Sequence, residues 1–176
     1  FIRKKISLLF LLTCLISSAQ EKVIIFSIND IHSRIENFSK IKPLIDNERG
    51  KGNKVFFVSA GDIFSGNPIV DNYSEKGFPI IDLLNRTGLD ISVIGNHEFD
   101  YGQNVLNDRI SQANFPFVCA NFSGGEGELS NVKGVEIIEK DGFSIAYIGA
   151  IETGNFGRFP LTHPKKVKGL FFTNPI

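Results

Sequence analysis

The chain has 176 residues, of which 42% are apolar and 22% are charged, a composition typical of one globular domain with a core of workable size. Its 19 basic and 19 acidic side chains balance formally. No long basic run is present, so the composition excludes the electrostatic footprint of a protein that binds duplex nucleic acid.

Residues 1–19 have the layout of a secretory signal peptide. Basic residues at 3–5 precede an apolar run over 6–16, and small residues follow at 17–19. The apolar run is too short for a transmembrane helix, and a buried first helix is the alternative. We expect cleavage at the end of this segment, so that residues 20–176 form the mature chain, with 16 basic and 19 acidic residues. We therefore expect export to the periplasm, the cell surface or the extracellular space.

The two cysteines predict no disulfide in the mature chain. Cys14 lies within the expected signal peptide and leaves Cys119 alone. Cys119 stands in an apolar stretch, where a small buried side chain is favoured over a nucleophile. A lipoprotein cleavage box before Cys14 is an alternative, but Thr13 fits it poorly.

After residue 20 the hydrophobic pattern alternates between strands and helices. Continuous apolar runs predict buried strands, and apolar residues at helical spacing predict helices. Asp141-Gly142 is a strong signal for a β-hairpin. The ending from 153 to 176 shows little periodicity and predicts no helix. The predicted elements are strands at 23–28, 55–59, 91–94 and 117–120, helices at 37–47, 78–85 and from 105 to 110, and hairpin strands at 135–139 and 143–148.

Polar side chains follow three of these strands at the point where each strand ends. Asp30 and His32 follow the first strand, Asp62 follows the second, and Asn96 and His97 follow the third. Side chains two residues apart in extended backbone point to the same side, which places Asp30 beside His32. Adjacent parallel strands bring such loops together at the carboxyl edge of a sheet, where α/β proteins bind ligands.

This mixture of oxygen and imidazole donors suits a divalent metal ion such as Zn, Mn or Fe. A carboxylate shared by two cations is the core of two-metal hydrolysis, and Asp62, alone in its glycine-flanked loop, is the candidate for sharing. Each acid taken singly is more simply interpreted as a turn or capping residue. The occurrence of all three loops at equivalent strand ends favours the metal site.

Three stretches, 27–32, 59–68 and 95–102, closely resemble motifs of the secreted 5′-nucleotidase family, within the calcineurin-like metallophosphoesterases. The string Gly-Asn-His-Glu-Phe-Asp-Tyr-Gly at 95–102 is highly specific, and softer matches lie at 77–90 and 115–121. The chain resembles the amino-terminal part of the catalytic domain in this family. The resemblance implies a four-layer α/β/β/α sandwich, of which this chain holds a part.

The resemblance also implies roles for individual residues. Asp30 and His32 would bind one of two divalent metal ions, Asp62 would bridge both, and Asn96 would bind the second. The substrate would be a nucleotide, most simply a nucleoside 5′-monophosphate hydrolysed to release phosphate. Sugar nucleotides, cyclic nucleotides and the substrates of sulfur-oxidation relatives stay open, because those relatives share the motifs.

A catalytic pair is implied in the same way. His97, oriented by Asp100, would stabilise or protonate the transition state of phosphoryl transfer. Ser33 stands where the family usually has glycine, and we expect it to stiffen the loop without touching a ligand.

The downstream sequence departs from the family pattern. Family members carry further histidine motifs and a carboxyl-terminal nucleoside-binding domain, whereas the remaining histidine here, His163, matches neither motif and is predicted to lie in a surface loop. We therefore expect a fragment of a longer gene product, with negligible activity from residues 20–176 alone. The alternative is a truncated, non-catalytic chain that binds metal weakly or not at all.

Overall fold

A five-stranded parallel sheet forms the centre of the computed structural model, which describes residues 22–125, 129, 131–154 and 157–175. The strands lie side by side in the order of the sequence: β1 (Val23–Ile28), β2 (Lys54–Ser59), β3 (Ile91–Val93), β4 (Phe117–Val118) and β5 (Val132–Lys133). The expected signal peptide lies outside the described residues, so its assignment stays a prediction.

Helices connect the strands, as parallel pairing requires. They are α1 (Phe38–Gly50), α2 (Pro68–Asp71), α3 (Phe78–Thr87) and α4 (Gln103–Gln112), with 3-10 helices at Ile35–Asn37, His97–Phe99 and Pro164–Val167. Among these, α3 ends at Thr87 and is capped by Gly88, whose φ of 76° is a left-handed conformation that glycine adopts without strain. The three longer helices confirm the predicted ones, each extended at one or both ends.

The two faces of the parallel sheet are covered differently. Val55 and Phe57 on β2 belong to the main hydrophobic core, where they lie with buried side chains of the helices such as Ile45 and Leu84. Phe56 points to the opposite face, because side chains alternate along a strand. On that face the Nζ of Lys140 lies 5.7 Å from the centroid of the Phe56 ring.

A β-hairpin supplies this second covering layer. It consists of β6 (Val135–Lys140) and β7 (Phe143–Ile148), and its turn residues Asp141 and Gly142 both have positive φ, as the sequence predicts. Its outer face carries exposed apolar side chains, among them Ile137. The described residues thus form helix, sheet and hairpin layers, which are three layers of an α/β/β/α sandwich, and the predicted α/β class is confirmed.

Several details differ from the sequence-based expectations. Strand β5 was not predicted, because two residues after a glycine- and glutamate-rich loop carry no periodic signal. The turn at Pro164–Val167 contradicts the expectation of no helix after 153; Pro164 begins it, and His163 Nδ1 caps it by accepting from the Lys165 N–H. Leu44 lies on the predicted helix but is exposed.

Other expectations are confirmed by the burial of side chains. Cys119 is buried, and burial raises the pKa of its thiol. His163 lies on the surface.

No helix in the described part of the chain has the length and apolar character needed to span a bilayer.

Asn121 joins three segments that are distant in sequence. Its Nδ2 donates to the carbonyls of Ile151 (2.9 Å) and Thr173 (2.8 Å), and its Oδ1 accepts from the Ile151 N–H at 2.9 Å. The side chain is buried, so each of these bonds replaces one that water would otherwise make. Asn121 therefore holds the ends of the sheet and of the hairpin against the carboxyl-terminal segment.

We expect Asn121→Ala to lower the free energy of unfolding by about 2 to 3 kcal/mol, because it leaves buried backbone groups without partners. Urea denaturation followed by circular dichroism measures this change. Asn114→Ala, at an exposed asparagine, serves as the control and should shift the value by less than about 0.5 kcal/mol. Equal effects of the two substitutions would contradict the interpretation.

Candidate active site

Three loops meet at the carboxyl edge of the parallel sheet. The register pairs Ile28 with Ser59 and Ser59 with Ser92, so β1, β2 and β3 end close to the same level. Backbone hydrogen bonds continue beyond the strands, from the Asp30 N–H to the carbonyl of Gly61 at 3.2 Å. The loops that carry the predicted site residues therefore lie side by side, as parallel strand order predicts.

The first loop places Asp30 beside His32, but not through extended backbone. Both residues have positive φ, 48° and 44°, so the expectation of an extended segment is wrong. The backbone coils because the His32 N–H donates to the carbonyl of Asp62 at 3.2 Å. The side chains still face each other, with His32 Nε2 3.9 Å from Asp30 Oδ1.

Ser33 completes this loop and is fully buried. Its N–H (2.9 Å) and its hydroxyl (3.3 Å) both donate to the carbonyl of Ile63. It also has positive φ, which explains why glycine suits this position. The side chain fixes the loop after β1 to the loop after β2, in line with the expected stiffening.

Asp62 lies between the first and third loops. Its Oδ1 accepts a hydrogen bond from the His97 N–H at 2.9 Å, so its carboxylate is held toward the third loop. A Cβ atom on Gly95 would collide with this carboxylate, so only glycine allows the two loops to approach this closely. Asp62 itself has a positive φ of 53°.

Glu98 is the residue that the sequence-based reasoning missed. Its carboxylate is fully buried and accepts from three backbone N–H groups, those of Asp62 (3.0 Å), Ile63 (2.7 Å) and Gly95 (2.6 Å). Burial raises the pKa of Glu98 to about 7, and the negative charge of Asp62 acts in the same direction, whereas the three N–H groups oppose the rise. Glu98 thus joins the second loop to the third through hydrogen bonds from the backbone of both.

His97 and Asp100 form a hydrogen-bonded pair, with 2.7 Å between His97 Nδ1 and Asp100 Oδ2. Burial lowers the pKa of His97, but the bond to Asp100 and the negative charges of Asp100, Asp62 and Glu98 outweigh it, so the pKa is raised. Burial would raise the pKa of Asp100, but hydrogen bonds from Ser65, His97 and Lys166 hold it below its usual value. The His97 ring packs edge-on against His32, at 4.6 Å between centroids.

Asn96 is fixed by a contact from far along the chain. Its Nδ2 donates to the carbonyl of Leu161 at 3.0 Å. The amide nitrogen can only donate, so the side-chain oxygen is the atom able to accept a hydrogen bond or to bind a cation. This oxygen and the Asp62 carboxylate belong to the two loops that Glu98 joins.

The donor chemistry at this edge fits divalent cations. It comprises two carboxylates, one imidazole and one amide oxygen, from Asp30, Asp62, His32 and Asn96. Within the part of the chain that the structure describes, no three His, Cys, Asp or Glu side chains form a group able to hold a metal ion. The four predicted ligands are therefore brought to one edge without making a complete cage.

Comparison with known proteins decides the family. The calcineurin-like phosphoesterase profile matches residues 24–174, which is most of the chain. The chain belongs to the calcineurin-like phosphoesterase family. This matches the resemblance drawn from the sequence motifs, and the loops described above carry those motifs.

Curated members of the family with similar sequences include nucleotide-processing enzymes. The chain is 39% identical over 90 residues to a 2′,3′-cyclic-nucleotide 2′-phosphodiesterase/3′-nucleotidase of Haemophilus influenzae, over 48% of this chain and 14% of the relative. It is 30% identical over 167 residues to a 5′-nucleotidase of Vibrio cholerae, over 88% of this chain and 29% of the relative. The chain thus spans less than a third of the length of either relative.

Solved structures of family members show the same fold. A 5′-nucleotidase precursor of Thermus thermophilus matches with a TM-score of 0.72 and 22% identity, over 86% of this chain and 32% of that one. The NAD nucleotidase of Haemophilus influenzae matches with a TM-score of 0.70 and 23% identity, over 86% of this chain and 29% of that one. At this level of identity the likeness establishes the fold alone.

We expect Glu98→Gln to lower the free energy of unfolding by about 1 to 3 kcal/mol, because the amide NH2 would face backbone N–H donors. Chemical denaturation measures the loss. Glu139→Gln, at an exposed position on β6, is the matched control and should change the value little. A stability of Glu98→Gln equal to that of the control would show that the carboxylate does not hold the two loops.

Proposed function

We propose that the intact protein is a metal-dependent phosphoesterase that hydrolyses nucleotides, most simply releasing phosphate from nucleoside 5′-monophosphates. The observation that carries this proposal is the position of the His97–Asp100 pair, at the same sheet edge as the predicted ligands. The His97 ring lies against His32, and the backbone N–H of His97 donates to the carboxylate of Asp62. A proton-transfer group beside metal donors is the arrangement that phosphate-ester hydrolysis needs.

In this proposal the cations are two divalent metal ions, with Zn, Mn or Fe favoured by the donors. Asp30 and His32 would hold one ion, Asp62 would bridge both, and Asn96 would hold the second through its side-chain oxygen. Bound there, the ions would supply Lewis-acid polarisation of the phosphate and a water of lowered pKa. The negative charge of Asp30 and Asp62 would offset the charge of the ions.

His97 has its own part in the proposed reaction. Because Asp100 binds Nδ1, Nε2 is the atom left to act on the substrate. With its ring protonated, His97 would stabilise charge on the phosphoryl group or donate a proton from Nε2 to the leaving oxygen. Asp100 would keep the ring oriented and stabilise its positive charge.

The relatives support a nucleotide as substrate. The names of the Haemophilus influenzae and Vibrio cholerae enzymes both denote hydrolysis of nucleotides. Export is part of the proposal as well, on the basis of the basic start and short apolar run in residues 1–19.

Asp62→Asn in the full-length protein should lower the metal content and reduce nucleoside monophosphate hydrolysis to near background, because the bridging charge is removed. Elemental analysis and phosphate release provide the two measurements. Asp108→Asn, at an exposed site on α4, is the control. Wild-type turnover with two metal ions per chain in Asp62→Asn would refute the bridging role.

His97→Ala in the full-length protein should keep its metal but lose on the order of a hundredfold or more in kcat, as expected when a general acid or charge-stabilising group is removed. Steady-state kinetics and elemental analysis separate these effects. Glu139→Ala, at an exposed position on β6, should behave as wild type. Loss of metal from His97→Ala would make this residue a ligand instead.

If the full-length wild-type protein held no metal and released no phosphate from nucleotides, the outcome would favour the alternative of a non-catalytic chain.

A further inference from the structure

The carboxyl-terminal segment returns to the sheet edge that carries the site. Val167 and Leu170 of this segment are buried, and the Gln103 side chain donates from Nε2 to the Lys168 carbonyl at 2.9 Å. These contacts fix the 3-10 helix Pro164–Val167 beside the start of α4. The backbone of Lys166, which lies within that helix, is therefore fixed by the contacts of neighbouring residues.

Lys166 reaches the proposed catalytic pair. Its Nζ lies 3.0 Å from Asp100 Oδ1. The other carboxylate oxygen, Oδ2, accepts from the Ser65 hydroxyl at 2.5 Å and faces His97 Nδ1 at 2.7 Å. Donors on both oxygens fix the plane of the carboxylate, since rotation about χ2 would break the contacts on one side or the other.

We propose that Lys166 is a positioning residue for the His97–Asp100 pair, an inference that rests on the function proposed above. It acts through Asp100 and does not touch the substrate. When Lys166 is removed, Oδ1 loses this hydrogen bond, and the Asp100 carboxylate and the His97 ring gain freedom to rotate. The proton-transfer geometry is then populated for a smaller fraction of the time.

An ordinary surface ion pair is the competing explanation. Such pairs contribute little to stability, and their loss changes little else. The Lys166–Asp100 pair differs because both side chains are largely covered, at 34% and 23% exposure, and because Asp100 also binds His97. The two explanations therefore predict different effects on turnover but the same small effect on stability.

The test compares three variants of the full-length protein with wild type, using adenosine 5′-monophosphate as the substrate. Lys166→Met should lower kcat about tenfold, while KM and metal content stay within about twofold, as expected for loss of a supporting hydrogen bond. Lys166→Arg should restore most of the rate because it keeps the charge. Lys168→Met, an exposed lysine two residues away, is the matched control and should match wild type.

A double-mutant cycle tests whether Lys166 acts through Asp100. In an Asp100→Asn background, Lys166→Met should cost less than about twofold in kcat, because the group it positions has already been altered. A tenfold loss in both backgrounds would overturn the proposal, as would wild-type kinetics of Lys166→Met in the active enzyme.

A readout without substrate separates this inference from the proposed function. With 15N-labelled histidine, the Nδ1–H of His97 is identified in wild type by its loss in His97→Gln. Its exchange with water should be about tenfold faster in Lys166→Met and unchanged in Lys168→Met. If wild type hydrolyses no nucleotide but this difference appears, the proposed function fails and the positioning role stands. If the exchange rate does not change, the positioning role is wrong.

Discussion

A fully buried carboxylate, that of Glu98, sets the geometry on which the rest of the candidate site depends. Burying a charged group costs several kcal/mol unless hydrogen bonds replace its hydration. Here the replacement comes from backbone N–H groups of Asp62, Ile63 and Gly95, which belong to two separate loops. These hydrogen bonds reduce the cost only when both loops are in place together, so Glu98 couples the loop after β2 to the loop after β3.

A connected set of hydrogen bonds extends from Glu98 to the other residues of the candidate site. The backbone N–H of Asp62 donates to Glu98, and the Asp62 carboxylate accepts from the backbone N–H of His97. The His97 ring in turn faces Asp100. Several residues along this edge, including Asp30 and His32, have left-handed backbone conformations that cost free energy for residues other than glycine. The packing of the core on the helical side of the sheet stabilises the fold and offsets the free-energy cost of these conformations.

The sequence was sufficient for every strand except β5, for the longer helices and for the loops that carry the site, because buried parallel strands are apolar runs that stop where polar residues begin. It was not sufficient for the conformation of Asp30 and His32, which depends on carbonyls of a loop 30 residues away. The role of Glu98 was also missed, because an acidic residue in a loop is ordinarily assigned to solvent. Glu98 lies in the 3-10 helix His97–Phe99, and the direction of its side chain is evident only from the structure.

The segment after β7 is part of the site, although its sequence shows no periodic pattern. Its Leu161 carbonyl fixes the amide of Asn96, and Lys166 binds Asp100, each across more than 60 residues of sequence. Both contacts act on side chains whose backbone is already held by the three loops. The loops therefore determine where the functional groups lie, and the returning segment adds hydrogen bonds to the side chains of Asn96 and Asp100. Asn96 keeps its oxygen and His97 keeps Nε2, the two atoms that a metal ion and a leaving group would require.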